Sequence, residues 1–188
     1  LLLAVPSSAE INELAFESFT VQVPDDLIIF TKDNLTDDHP FAEYFNMDVI
    51  RAQFDADPTL YMDAYHPSLG FDLMAVAVPL DEAIDMTATS DAVINVMLLP
   101  LLLKSYQDLG ITVLSSGIAH QTAATYVTVY FSYAGSYVFQ YYTTVPDGDK
   151  FLGVTFKIAL AGQEITEEML PYLTDMAETA VFDAYKAS

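Results

Sequence analysis

The sequence contains no cysteine and no tryptophan, and its basic side chains are scarce. Without cysteine the chain cannot form a disulfide, use a thiolate nucleophile or bind a metal through sulfur. Only 6 Lys and Arg stand against 27 Asp and Glu, which gives a formal net charge of −21. Such an acidic surface repels nucleic-acid phosphates and anionic lipid headgroups, so both classes of partner are excluded.

Long hydrophobic runs are also missing. The most apolar segment, residues 93–103, is interrupted by Asn95 and Pro100 and is shorter than the roughly 18 residues that a membrane-spanning helix needs. The chain has 188 residues, of which 53% are hydrophobic, and this is enough to bury one sizeable core. We therefore predict a single globular domain over residues 10–188.

Residues 1–9 allow two interpretations. Leu1 to Val5 are apolar, and the small residues Ser7 and Ala9 have the spacing of a signal-peptidase site. The segment is either the tail of a signal peptide or an apolar first segment that packs on the domain. The first interpretation predicts a bacterial protein that is secreted or held at the cell surface.

Apolar residues that alternate with polar ones predict strands in the first half of the chain. Residues 19–23 and 27–30 flank the turn signal Pro24-Asp25-Asp26, which predicts a hairpin. Further strands are predicted at residues 60–65 and 71–78, and the second of these is apolar on both faces.

A meander is predicted in the second half of the chain. Strand patterns cover residues 126–133, 137–145 and 151–160, and a shorter one at residues 111–115 precedes them. Short turns rich in Gly and Asp separate the later strands, as in hairpins. The sheet is therefore predicted to be antiparallel.

Three helices are predicted. The first spans residues 46–56, and the second runs from a cap at Ser90 or Asp91 to about Leu109, with a kink at Pro100. The third begins at Thr166 and carries an apolar stripe that includes Leu170, Leu173, Met176, Ala177, Ala180 and Val181. Together these elements predict an α+β fold with an antiparallel sheet of about six or seven strands and helices on both faces.

Three stretches resemble the PsbP-like superfamily. They are residues 19–26, the paired strands 126–133 and 137–144, and residues 151–160 followed by a helix. In addition, Gln140-Tyr141-Tyr142-Thr143-Thr144-Val145 and then Thr155-Phe156 resemble small secreted proteins of Gram-positive gut bacteria. The resemblance implies a three-layer α/β/α fold and a non-catalytic binding role, and it assigns no functional residue.

Residues for nucleophilic catalysis are few. The histidines are His39, His66 and His120, and no Gly-x-Ser-x-Gly motif is present. A catalytic triad would need Ser115 or Ser116 beside His120 and an acid. A hydrolase that combines one histidine with a Ser or with Asp37 or Asp63 is therefore an alternative and not the leading hypothesis.

An acidic loop follows the second strand of the predicted hairpin. Asp33, Asp37 and Asp38 lie close together in the sequence and are weak candidates for calcium ligands. Their spacing does not match an EF-hand, which also needs a glycine in mid-loop. We predict a solvated acidic loop, and no metal or other cofactor is predicted for the chain.

Two apolar features are candidates for a binding surface. Tyr126, Tyr130, Tyr137 and Tyr141 belong to a run of tyrosines that either contacts a partner or packs beneath helices. Residues 97–103 are apolar around the whole circumference of the predicted helix, so Leu98, Leu102 or their neighbours meet either a covering loop or a partner such as a second copy.

The sequence thus favours a non-enzymatic extracytoplasmic domain that docks a protein or glycan at the bacterial cell surface. One alternative is the histidine-dependent hydrolase described above. The other is a structural protein that self-associates as a homodimer through residues 98–103.

Overall fold

The computed structural model describes residues 11–185. Residues 1–9, for which a signal-peptide tail was one interpretation, lie outside the described residues. Within 11–185, no helix is long and apolar enough to cross a membrane.

Most of the described chain belongs to two antiparallel sheets. β3-β4-β5-β9-β8-β7-β6 is the order of the larger sheet, and β1-β2-β10 is the order of the smaller one. The strands are β1 (Ile11–Ala15), β2 (Phe19–Pro24), β3 (Ile28–Thr31), β4 (Leu60–Tyr65), β5 (Asp72–Leu80), β6 (Thr112–His120), β7 (Thr125–Tyr133), β8 (Ser136–Asp147), β9 (Lys150–Ala161) and β10 (Val181–Phe182). The predicted antiparallel sheet of six or seven strands is confirmed with seven.

The predicted hairpin between β2 and β3 is wrong. β2 pairs with β1 and with β10, whereas β3 pairs with β4 in the larger sheet. Phe19, Val21 and Val23 of β2 are buried in the core below the smaller sheet, so β2 stacks over the larger sheet and does not extend it. The turn at Pro24 therefore carries the chain from one sheet to the other.

The helical segments are α1 (Met47–Ala56), α2 (Asp91–Val93), a π-helical segment (Ile94–Leu98), α3 (Leu99–Asp108), α4 (Leu170–Thr179) and a short 3-10 helix (Asp183–Tyr185). The three segments between Asp91 and Asp108 form one continuous stretch, which we call the 91–108 helix. The Asn46 side chain accepts a hydrogen bond from the Val49 backbone N–H over 3.3 Å and caps α1, which begins one residue after its predicted start.

Pro100 directly follows an irregular segment of the 91–108 helix. It lies in the first turn of α3, directly after the π-helical segment. The wider π turn lets the Leu99 N–H bond to the Ile94 carbonyl. Because proline has no N–H, it is tolerated best in a first helical turn, and the π segment places such a start in mid-helix.

The last predicted helix is too long at both ends. α4 begins at Leu170 with Pro171 in its first turn and ends at Thr179, although the pattern predicted a helix from Thr166 through Val181. Val181 and Phe182 instead pair with Thr20 and Phe19 of β2. Phe182 is buried, with its ring centroid 6.3 Å from that of Phe19, so tertiary packing takes these residues out of the helix.

Three apolar clusters hold the elements together. The main cluster joins the larger sheet to α4 and the smaller sheet and includes Phe156 and Leu173, both fully buried. A second cluster joins α1 to β3, β4 and β5 through residues such as Phe54 and Leu60. A third joins the 91–108 helix to β6, β7 and β8 and includes Ile94, which is also fully buried.

Candidate functional site

The outer side of the 91–108 helix is an exposed apolar surface. The exposed fractions of Val96, Met97 and Leu101 are 75%, 62% and 68%, and that of Val93 is 40%. Residues three or four apart in a helix lie near one face, and the pairs 93/96, 93/97 and 97/101 have this spacing, so the four side chains form a stripe. We call Val93, Val96, Met97 and Leu101 the outer stripe.

The predicted binding residues Leu98 and Leu102 lie on the inner side of this helix. Both pack against the third cluster, which includes Val127, Val129 and Phe131 of β7. They attach the helix to the sheet and leave the outer stripe to solvent. The sequence predicts apolar residues around the whole circumference of this helix, but its periodicity does not determine which leucines the sheet covers.

Three charged residues lie on the same helix as the outer stripe. Lys104 and Asp108 form an i,i+4 ion pair over 2.8 Å on α3. Asp91, at the start of the helix, lies 3.1 Å from the Nε2 atom of His120. The helix itself therefore carries two carboxylates and one ammonium beside the outer stripe, on a chain whose net charge is −21.

Two of the four predicted binding tyrosines are part of the core. Tyr126 is fully buried, and its hydroxyl donates a hydrogen bond to the Ala177 carbonyl of α4 over 3.0 Å. Burial raises the pKa of Tyr126. Tyr141 is also buried, with its ring in an edge contact 5.6 Å from that of Tyr126. In this structure neither side chain is available to a partner.

Tyr130 and Tyr137 lie at the surface end of the same sheet region. Their ring centroids are 6.2 Å apart, and both side chains are half-buried. Tyr130 lines a small, largely apolar cavity of about 220 Å³. The other lining residues are Ser115, Phe139, Ile165 and Leu170. Burial raises the pKa of Tyr130.

His66 has a structural environment. Its Nδ1 atom accepts hydrogen bonds from the backbone N–H groups of Ser68 and Leu69, which leaves the proton on Nε2. Nε2 lies 2.9 Å from the Tyr172 hydroxyl, and that hydroxyl donates to Asp26 over 2.7 Å. Burial, with a smaller contribution from Asp26, raises the pKa of Tyr172 to about 12. This chain of bonds ties α4 to the turn after β4 and to the turn after β2.

His39 and His120 are not next to the predicted serines. His39 bonds to backbone groups of Ile29 and Phe41, and His120 bonds to Asp91 and Thr125. Ser116 and His120 are four residues apart in β6, which separates their Cα atoms by about 13 Å in an extended strand. The geometry does not bring Ser115 or Ser116 to His120.

The acidic loop is held mainly by ordinary ion pairs and turns. Asp37 pairs with Arg51, which also contacts Asp48 over 2.8 Å. Asp33 and Asp38 are exposed. Among residues 11–185, no group of three or more His, Asp or Glu side chains is placed to hold a metal ion. Weak calcium binding at this loop remains a prediction.

The fold is similar to a known one, although the sequence matches neither a protein-family model nor a curated protein. The solution structure of cyanobacterial PsbP (CyanoP) from Synechocystis sp. PCC 6803 superposes with a TM-score of 0.50. The similarity covers 97% of each chain at 9% sequence identity. The chain therefore has a PsbP-like α+β fold, and the comparison carries no functional residue over to it.

Proposed function

We propose that this chain is a non-enzymatic binding domain that docks a protein partner through the outer stripe of the 91–108 helix. The observation that carries the proposal is the exposure of Val96, Met97 and Leu101, three large apolar side chains on one helix. An exposed apolar stripe lowers the solubility of a domain, and the binding of a partner explains why these side chains are apolar. The proposed location is the surface of a bacterial cell, as the first interpretation of residues 1–9 suggests.

The charge of the chain selects the kind of partner. Two copies of a protein with a net charge of −21 repel each other, which disfavours a homodimer at low salt. A partner with an apolar centre and a basic rim would be attracted over a distance and would then bury the stripe. We therefore propose a basic protein surface as the occupant, with a second copy as the alternative.

A glycan is the less supported occupant of this domain. Tyr130 and Tyr137 offer half-buried aromatic faces, as glycan sites do. The adjoining cavity has few polar groups, because its other lining side chains apart from Ser115 are apolar. Such a cavity suits an apolar side chain of a protein partner better than a sugar.

The placement of the helices on the two faces of the sheet is also part of the proposal. We infer that helices cover both faces of the seven-stranded sheet. The side chains of β7 support this, because Tyr126 belongs to the main cluster with α4 while Val127 belongs to the third cluster with the 91–108 helix.

The docking proposal is tested with a synthetic amphipathic helix that carries leucines on one face and lysines on the other. We expect it to bind, and we expect the double substitution Val96→Gln and Leu101→Gln to weaken binding by about tenfold. Val49→Gln is the matched control, because Val49 is a 61% exposed residue of another helix. Fluorescence anisotropy of the labelled helix measures the affinity, and capture from native cell envelopes repeats the comparison.

Three results would contradict the proposal. Equal binding by the double variant and the wild type would mean that net charge alone attracts the probe. A dimer in sedimentation velocity that the double variant abolishes would replace the basic partner with a second copy. Turnover of an ester, peptide or glycoside that His120→Ala abolishes would support the hydrolase alternative instead.

A further inference from the structure

Three ionisable side chains lie close together near the centre of the seven-stranded sheet. Asp63 of β4 and Lys157 of β9 are each paired with Met74 of β5, and Asp72 lies two residues before Met74 in the same strand. Side chains in these positions point to one face of the sheet. The main cluster takes the alternate residues, such as Leu73 and Phe156, so the three ionisable groups lie on the opposite face.

A cavity of about 170 Å³ opens beside the two carboxyl groups. Aromatic rings form much of its wall, and their centroids are 5.2 Å apart for Phe30 and Phe45 and 5.9 Å apart for Phe45 and Tyr65. The full lining is Phe30, Phe45, Ile50, Gln53, Asp63, Tyr65 and Asp72. The cavity therefore combines two carboxyl groups with aromatic and aliphatic walls.

The two carboxyl groups have fewer hydrogen-bond donors than they can accept. One oxygen of Asp63 accepts from the Gln53 side chain over 3.0 Å, and the other is buried without a partner among residues 11–185. No hydrogen bond to the Asp72 carboxyl is found in that part of the chain. Burial raises the pKa of Asp63. Burial and the neighbouring charge of Asp63 raise the pKa of Asp72 to about 7.

The surrounding charges leave Asp72 without a cation. On β9, burial lowers the pKa of Lys157, and its ammonium interacts first with Asp57 at the end of α1 and then with Asp63. The group that acts on Asp72 from β4 is Asp63, which is also acidic. The α1 residue in this cavity with a polar side chain is Gln53, which is neutral. Among residues 11–185, no basic side chain forms an ion pair with Asp72, and the charge that acts on it is that of Asp63.

We propose that this cavity binds a small organic ammonium ion, a protonated amine with a short apolar group. The ammonium supplies the hydrogen-bond donors that Asp72 lacks. Its apolar group lies against Phe30, Phe45 and Tyr65, whose rings also attract a cation. The cavity is smaller than the roughly 300–1,000 Å³ of drug-sized sites, so the amine has only a few carbon atoms. This site is separate from the outer stripe and does not depend on its function.

An organic ammonium fits both the carboxyl groups and the apolar walls of this cavity, whereas other small ligands fit only one of them. A neutral alcohol would leave the carboxylates without a cation, and an inorganic cation would leave the aromatic walls without an apolar partner. The suitable probes are therefore n-butylammonium chloride, n-butanol and sodium chloride. The unmodified full chain is titrated with each of them by NMR.

At about pH 8 we expect saturable binding of butylammonium and none of butanol. At about pH 7, where the Asp72 carboxyl is about half protonated, its carboxyl carbon should move towards its ionised chemical shift as the ammonium binds, because binding favours the carboxylate. Affinity should fall by about tenfold between about pH 8 and pH 6, since Asp72 takes up a proton over that range. Asp72→Asn should weaken binding and remove this pH dependence.

The matched control is Asp55→Asn, which removes one negative charge from an exposed position on α1. It should leave butylammonium binding unchanged. Equal binding of butanol, equal competition by sodium ions, or equal weakening by Asp55→Asn and Asp72→Asn would overturn the proposal. The carboxyl shift of Asp72 is read in the wild type, so it decides the question even if the Asp72 variant does not fold.

Discussion

The Tyr126 hydroxyl donates a hydrogen bond over 3.0 Å to the backbone carbonyl of Ala177, which is 51 residues further along the chain. Tyr126 belongs to β7 and Ala177 to the last turn of α4. The last carbonyls of a helix lack partners within that helix. This bond therefore satisfies a buried acceptor and fixes α4 on the sheet at the same time.

Replacing Tyr126 by Phe should lower the free energy of unfolding by about 1–3 kcal/mol. The substitution keeps the ring packing but leaves the Ala177 carbonyl buried without its donor. Urea unfolding followed by circular dichroism measures the change. Tyr133→Phe, at a side chain that is 54% exposed, is the control and should be neutral. Equal stability of both variants would mean that water or another donor reaches the carbonyl.

Replacing Asp72 by Asn should stabilise the protein more at alkaline pH than at acidic pH. The pKa of Asp72 rises from the usual 3.8 to about 7 on folding, so the folded state binds more protons than the unfolded state between these values. Stability of the wild type therefore falls as pH rises through this window. After allowance for solvent screening of this half-buried group, the difference should be on the order of 1 kcal/mol.

Urea unfolding of both proteins at about pH 4 and pH 8 measures this effect. The two unfolding curves should lie close together at the lower pH and separate at the higher one. A constant difference between the proteins at both pH values would show that Asp72 does not titrate in this window.

The turn between β7 and β8 carries a strained alanine. Ala134 has φ of 50° and the following Gly135 has φ of 83°, which is the pattern of a type I′ hairpin turn. Asparagine tolerates the left-handed region better than alanine does. Ala134→Asn should raise the free energy of unfolding by about 0.5–1 kcal/mol, and Ala134→Val should lower it. Thermal unfolding of the three proteins tests the order, which should be Asn, Ala, Val.

The acidic loop should bind calcium weakly at most. Asp37 is already paired with Arg51, and Asp33 and Asp38 are exposed, so the loop has no closed set of oxygen ligands. Isothermal titration calorimetry should find no submicromolar site, and calcium should leave the melting temperature unchanged. A tight site that Asp33→Asn and Asp38→Asn remove would refute this expectation.

Local sequence patterns predicted most of the larger sheet. Alternating residues such as Val127 and Val129, and turns such as Gly148 with its flanking aspartates, mark strands and hairpins from neighbouring residues alone. The smaller sheet could not be predicted in this way. Its strand β10 has two residues, and Phe182 pairs with Phe19 from the other end of the chain.

Local sequence patterns also predicted only part of the candidate sites. Apolar residues around the whole circumference of the 91–108 helix predicted a surplus, yet Leu98 and Leu102 turn inward and Val96 and Leu101 turn outward. The sequence pattern does not single out Asp72 and Lys157, although a charged residue inside an apolar strand is a signal that can mark such a site. For Asp63 the sequence suggests only the acid of a histidine-dependent hydrolase.

The sequence by itself determined the strand periods, the antiparallel hairpins, the absence of cysteine chemistry and the acidic charge, because each depends on composition or on near neighbours. Only the tertiary structure decided which face of each element is covered. It closed β10 onto β2, buried Tyr126 against Ala177 and brought Asp63 and Asp72 to one cavity. These outcomes depend on contacts between residues far apart in the chain, and their energies exceed the local preferences that a sequence pattern records.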